Sequence, residues 1–161
     1  MGRLILERIA TDRLALEPVS PEQAQRIIAG ESTELSTGVG WPHADTLDGL
    51  RMALRGGHAP GWLVTLDGVV IGDCGLHGDP DPQGQVEIGF GLAEAYHGHG
   101  YGTELVAGIV GSLAAHPEIK RITGRTVPGN IASQVVMERA GLRTESGTGE
   151  GGGHLTYVLR C

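Results

Sequence analysis

The sequence predicts an α+β (mixed α/β) domain: a central, mostly antiparallel sheet of about six to seven strands flanked by about four helices. Three observations predict it. WLVTLDGVVIGDCGLHG reads as two strands joined by Asp67-Gly68, the preferred two-residue hairpin turn. QVEIGFGLA alternates Val86, Ile88, Phe90 and Leu92 on one face with Glu87, Gly89 and Gly91 on the other. GYGTELVAGIVGSLAAHP spaces Leu105, Ile109 and Leu113 by four, with Val106 and Val110 beside them, until Pro117 stops the helix.

The remaining elements follow in chain order. RLALEPV is the first strand, with Leu14, Leu16 and either Pro18 or Val19 facing inward. Ser20 caps the helix of SPEQAQRIIAGE, with Pro21 at its first position, Gln23 three residues after the cap and Gly30 at its end. TLDGLRMALRGG is a second, weaker helix, interrupted by Gly49, whose apolar stripe is Leu50, Met52, Ala53 and Leu54. After the hairpin, the loop DPDPQG and the alternating strand, the long helix leads to a strand in IKRITGRTV. NIASQVVMERAGL is a helix closed by Gly141, and LRTESGT and HLTYVLR complete the sheet around a flexible ESGTGEGGGH loop.

Composition bounds the function. At 161 residues the chain fits one domain, and with aromatics at 4 % its core is aliphatic. No apolar run is long enough to span a bilayer and the N-terminus lacks a signal-peptide pattern, so a soluble, cytoplasmic protein without a membrane partner is expected. Cys74 reads as a small core residue and Cys161 as a terminal thiol, too few for a disulfide framework. The net charge of -7 disfavours nucleic acid as a partner. Through Glu94 there are fourteen acidic and six basic residues; afterwards, five and six. That asymmetry suits either a solubilising surface or a cationic substrate met by the N-terminal half.

The stretch AYHGHGYGTEL, Ala95 to Leu105, holds the densest chemistry. With 28 glycines, G-x-G-x-G arises by composition about once in such a chain, so the pattern alone is weak. Its position between a strand and an amphipathic helix is more informative. Backbone amides there can close around an anion at the positive end of the helix dipole. No Gly-Lys-Ser/Thr follows, and Gly98, Gly100 and Gly102 have the wrong spacing for a dinucleotide fingerprint. A metal pair of His97 and His99 would need further ligands, and the other histidines are scattered; no metal is expected.

Taken together, TDRLALEPVSPEQA, VEIGFGLAEAYHGHGYGTEL and VPGNIASQVVMERAGL resemble, in that order and over nearly the whole chain, the GNAT superfamily of N-acetyltransferases. Within it they are most similar to the branch of ribosomal-protein N-terminal-amine acetyltransferases. The resemblance implies one acetyl-CoA-binding N-acetyltransferase domain over residues 1–161. It implies that the amides of His97, Gly98, His99, Gly100, Tyr101, Gly102 and Thr103 bind the pyrophosphate of acetyl-CoA. The backbone around Leu92 and Ala93 would pair with the pantetheine arm as an added strand, and Asn130 would reach that arm. His97 stands where the family's loop usually begins with Gln or Arg, and His99 replaces a commoner basic residue, removing a fixed charge at neutral pH.

The implied reaction is direct attack of an amine on the thioester. An α-amino group with a pKa of about 8 is roughly a tenth to a fifth free base near pH 7, whereas a lysine at about 10.4 is free to less than about 0.1 %. A weak base therefore suffices for a peptide or protein N-terminus or a small amine of depressed pKa, the expected acceptors. Glu87 is the candidate base, beside glycines that leave room for a substrate; the position equally suits a solvent-facing or ion-paired glutamate. Met137 stands where many relatives carry a tyrosine acid, so the related branch's proposed donor carries over to Ser133, with Tyr157 as an outsider. Ser133 also suits a helix-start serine bonding its own backbone. A strand bulge near Gly91 would free an amide for the oxyanion. GESTELSTGVGWPHADT, with Glu31, Glu34, Trp41 and His43, and the loop from Gly151 to Gly153 would select the acceptor, unless Trp41 simply packs on the sheet edge. A non-catalytic acyl-CoA-binding module, favoured by Met137 and His97, is the alternative; a zinc or nucleotide binder ranks third. Monomer and homodimer are both left open.

Overall fold

The computed structural model describes residues 4–145 and 153–161. Its strands are β1 (Ile9–Ala10), β2 (Leu14–Pro18), β3 (Trp62–Leu66), β4 (Val69–Leu76), β5 (Gln85–Leu92), β6 (Arg121–Thr126), β7 (Arg143–Thr144) and β8 (Leu155–Arg160). Its helices are α1 (Pro21–Ala29), α2 (Ala44–Gly56), α3 (Tyr101–Ala114) and α4 (Ile131–Arg139). The strands form one sheet in the order β1-β2-β3-β4-β5-β6-β8-β7. Among the described strands only β5 and β6 pair in parallel, because α3 carries the chain back between them.

Local chemistry explains most boundaries. The Ser20 hydroxyl accepts from the Gln23 amide at 3.1 Å, Pro21 opens α1, and Gly30 closes it in the left-handed region. Asp67 and Gly68 both take positive φ, as the predicted hairpin turn requires. Helix α2 begins two residues earlier than its apolar pattern suggests, because the His43 ring accepts from the Thr46 amide at 3.3 Å and caps it. Leu50 and Ala53 are buried as expected, but Met52 is exposed. The short β1, absent from the predicted order, pairs with Ala15 and Leu16. Of the late strand expected in LRTESGT only Arg143–Thr144 forms; residues 146–148 lie outside the described residues.

The sheet separates two cores. Leu105, Ile109, Leu113 and Met137 of α3 and α4 pack against Leu16, Ile88 and Ile122 on one face. Ala24, Ile27, Trp41 and Leu50 cover Leu63 and Val70 on the other. A bulge in β4 opposite Val64 and Thr65, where the partner jumps from Gly72 to Val70, sets which β4 side chains face α2.

Candidate active site

The stretch from Ala93 to Thr103 forms a short 3-10 turn (Glu94–Tyr96) followed by the start of α3. Gly98 and Gly100 both have φ of 81°, a conformation that costs glycine little and other residues much. The six amides from Gly98 to Thr103 donate to no acceptor among the described residues. They form a concave row at a helix N-terminus, the arrangement that binds a phosphate. His97 behaves differently. Its amide is spent on Glu94 O at 3.1 Å, so it leaves the predicted row, and its ring Nε2 donates to Leu92 O at 2.9 Å.

The fixed charge that the loop lacks arrives from a distance. Arg13, at the start of β2, donates from Nη1 to His99 O at 3.0 Å and lies over the Tyr101 ring, 4.5 Å from its centre. Its Nε and backbone amide both bond Glu104, which Thr11 also engages. Burial pushes the Glu104 carboxyl up, but these bonds together outweigh it and hold it below its ordinary value. The two loop histidines do not converge: His97 turns to Leu92, and the His99 ring lies 5.6 Å from that of Tyr101.

Beside this row the sheet splits. Strand β6 pairs with β5 only from Gln85 to Ile88, while β4 follows β5 to Leu92. Glu87 O accepts from His77 N and Ala93 N donates to Ile71 O, both toward β4. The alternate residues, Phe90 and Leu92, therefore turn their backbone groups to the side without a paired strand. Leu92 lies on this side, where its carbonyl accepts from His97 Nε2, whereas Ala93 does not. Its amide is already in the ladder, and Phe90 stands in its place. The parity of a strand relative to its neighbours is not written in its own residues.

On the face toward α2, three register pairs of β4 and the residues after it build a shallow floor: Asp73 opposite Gly91, Gly75 opposite Gly89, and His77 beside Glu87. The floor lines a pocket of about 250 Å³ walled by His43, Leu50, Ala53 and His58. The His43 ring covers Gly91 and the His77 ring covers Gly89 so closely that an added Cβ there would sit 2.5 Å from His77 Nε2. At one end Asp73 accepts from Thr46 Oγ1 at 2.5 Å and Trp41 Nε1 at 2.9 Å. Burial raises its pKa despite those bonds. At the other end Glu87 accepts from His77 Nδ1 at 2.7 Å and Arg125 Nε at 3.1 Å. The His77 bond lowers its pKa most, burial opposes this and Arg125 adds to the lowering. Glu87 is thus the ion-paired glutamate of the two readings its position allowed.

The other expected residues scatter around this floor. Trp41 is buried and packs on the sheet while bonding Asp73; Glu34 pairs with Arg26 at 3.6 Å, and neither Glu31 nor Glu34 lines the pocket. Of the expected late loop, Gly151 and Gly152 lie outside the described residues. Asn130 caps α4 by accepting from the Ser133 amide at 3.1 Å, and the Ser133 hydroxyl bonds nothing among the described residues. Tyr157 is buried against α4, where burial first and then Glu138 push its phenol up. Met137 is buried with its sulfur against Gly124. The bulge expected near Gly91 is absent, since β4 and β5 keep an unbroken register through that residue. Sequence reasoning missed Arg13, Asp73 and His77; the lone charge in GDCG was the one available signal.

Comparison with known proteins decides the family. A model of the acetyltransferase (GNAT) domain matches residues 13–143, most of the chain. The chain belongs to the GNAT acetyltransferase family. Among its relatives is an uncharacterized N-acetyltransferase, YjdG of Bacillus subtilis, 32% identical over 72 residues. That match spans 45% of this chain and 43% of YjdG, less than half of either. Solved GNAT structures share its fold. RimJ of Mycobacterium smegmatis, in complex with a CoA-disulfide, has a TM-score of 0.68 at 22% identity, covering 96% of this chain and 88% of that one. RimL, a ribosomal L7/L12 alpha-N-protein acetyltransferase in complex with coenzyme A, has a TM-score of 0.70 at 16% identity over 96% and 98% of the two chains. The family match takes in Arg13, the loop and α4.

Proposed function

We propose that the protein transfers the acetyl group of acetyl-CoA to a primary amine, the α-amine of a peptide or a small amine, by direct attack on the thioester. The observation that carries this reading is a convergence at the end of β5. Six amides without acceptors among the described residues, Gly98 to Thr103, follow a strand edge at Phe90 and Leu92 that has no described strand beside it, its Leu92 carbonyl accepting from His97 Nε2. A pyrophosphate would accept from the amides with Arg13 supplying fixed charge, and the amides of a pantetheine arm would pair with the edge of β5. Asn130, exposed at the start of α4, would reach the arm from that helix. The acyl end would then reach the end of the glycine floor, beside the His43 and His77 rings that cover Gly91 and Gly89.

On this reading the amine enters the pocket under α2, its nitrogen attacks the thioester carbon, the C–N bond forms and the C–S bond breaks. Ser133, a hydroxyl without an internal partner, is the candidate donor to the departing thiolate. RimL and RimJ, named for coenzyme A complexes and in one case for a ribosomal protein's α-amine, support a peptide N-terminus as acceptor.

The test is thermal unfolding with acetyl-CoA, CoA, ATP and zinc in parallel, followed by CoA release on adding amines. Ligand at a hundred times its dissociation constant adds about 2.7 kcal/mol, a shift of roughly 5–10 °C for a chain of this size. A shift with acetyl-CoA and amine-dependent CoA release are expected. A shift with zinc or ATP alone would overturn the reading, and acetyl-CoA binding without release for any amine would leave a non-catalytic binding module.

A further inference from the structure

Glu87 is poorly suited to accept a proton itself. Its carboxylate already holds two donors, His77 Nδ1 at 2.7 Å and Arg125 Nε at 3.1 Å, and both stabilise its charged form. An ionised carboxylate only accepts, so Nδ1 of His77 must carry the hydrogen. A neutral imidazole protonated at Nδ1 presents its lone pair at Nε2. That nitrogen lies over Gly89, in the wall of the pocket. The pair is also held by the backbone, since His77 N donates to Glu87 O at 2.9 Å.

We propose that His77 and Glu87 form a proton-accepting dyad, with His77 Nε2 taking the proton of the acceptor ammonium and Glu87 acting as its positioning residue. This rests on the transferase reading above. The ammonium proton moves to Nε2, and the freed lone pair attacks the thioester carbon. Collapse of the adduct expels the thiolate, to which the nitrogen's surplus proton passes by way of the Ser133 hydroxyl; imidazolium returns its own to water. Glu87 and Arg125 face the ring's carboxylate side, and His43, Asp45, His58, Asp73 and the buried Cys74 are the other titratable groups lining the pocket. Arg125 offsets the charge of Glu87 when the imidazole is neutral.

The experiment uses the full chain, acetyl-CoA and a library of tetrapeptides with free α-amines as probes. Long-range proton–nitrogen NMR, assigned with His77→Gln, reads the tautomer of His77 without any turnover. The Nδ1–H form is expected in the wild type. His77→Gln should lower kcat by about a hundredfold or more, leave the calorimetric Kd for acetyl-CoA unchanged, and remove the acid limb of the kcat/KM profile. Glu87→Gln should cost less, because an amide oxygen can still accept from Nδ1 and hold the tautomer. An Nε2–H tautomer, or a His77→Gln enzyme that keeps both its rate and its acid limb, overturns the dyad alone. A wild-type protein that releases no CoA with any peptide overturns the transferase reading and the dyad with it.

Discussion

Glu104 accepts from both the backbone amide and the guanidinium of Arg13, at 2.7 and 2.8 Å, across 91 residues of sequence. The contact ties the first turn of α3 to the start of β2, and Arg13 then bridges to His99 O and Tyr101. Arg13→Ala should cost about 1–2 kcal/mol, the sum of a half-exposed ion pair and a cation–π contact. It should also weaken acetyl-CoA binding about tenfold, with a shallower salt dependence, because a fixed charge beside the loop is lost. Arg13→Lys should recover the salt dependence but not the stability, since an ammonium cannot fork to Glu104 and His99 O together. Denaturant melts and calorimetry at two salt concentrations separate the two effects.

Gly100→Ala puts a side chain at a φ of 81° and within 3.3 Å of Arg13 Nη2. The backbone strain alone is about 1–2 kcal/mol, a fall of roughly 2–8 °C in Tm. Acetyl-CoA should restore less of that loss than it adds to the wild type. Equal ligand-induced shifts in the two proteins would mean that the loop conformation is unrelated to the ligand.

Asp73 separates charge from hydrogen bonding. Asp73→Asn keeps an acceptor for Trp41 or Thr46 and removes a buried charge, so chemical melts at neutral pH should find it near neutral or stabilising. Asp73→Ala strands both donors, at about 1–3 kcal/mol each if they stay dry.

Stability should fall in acid. Glu87 and Glu104 are both held below their ordinary value of 4.5, so in acid the unfolded chain binds protons that the native state resists. Their stabilising effect is complete above 4.5 and is lost as pH falls through their lower folded values. Asp73, raised above 3.8, acts oppositely: the native state binds its proton first, and that contribution grows as pH drops toward 3.8. Melts of Glu104→Gln against pH should therefore show a smaller acid loss than the wild type, and Asp73→Asn a larger one.

Local chemistry was legible where a residue acts on its own neighbours. Ser20, Pro21 and Gly30 delimit α1, Asp67-Gly68 turns the hairpin, and the glycines after β5 open α3. The α2 cap was hidden because His43 uses a ring nitrogen where a hydroxyl or carboxylate is usual. His77 and Glu87 stand ten residues apart around a loop, and Arg13 reaches Glu104 across the sheet. Such partners are set by register and packing, which no short window contains. The family resemblance located the loop but assigned a phosphate-binding amide to His97, which the turn before it consumes.

The two cores on either side of the sheet are unequal. Among the described residues, twenty buried side chains form the one beneath α3 and α4, and eight form the one beneath α1 and α2. The smaller should therefore open at a lower free energy than the whole chain unfolds. Amide hydrogens of α1 and α2 would exchange by a partial opening, while those of α3 and β6 would wait for global unfolding. The wall over the glycine floor would then be the part of the molecule that breathes, and the amide row a part that holds still.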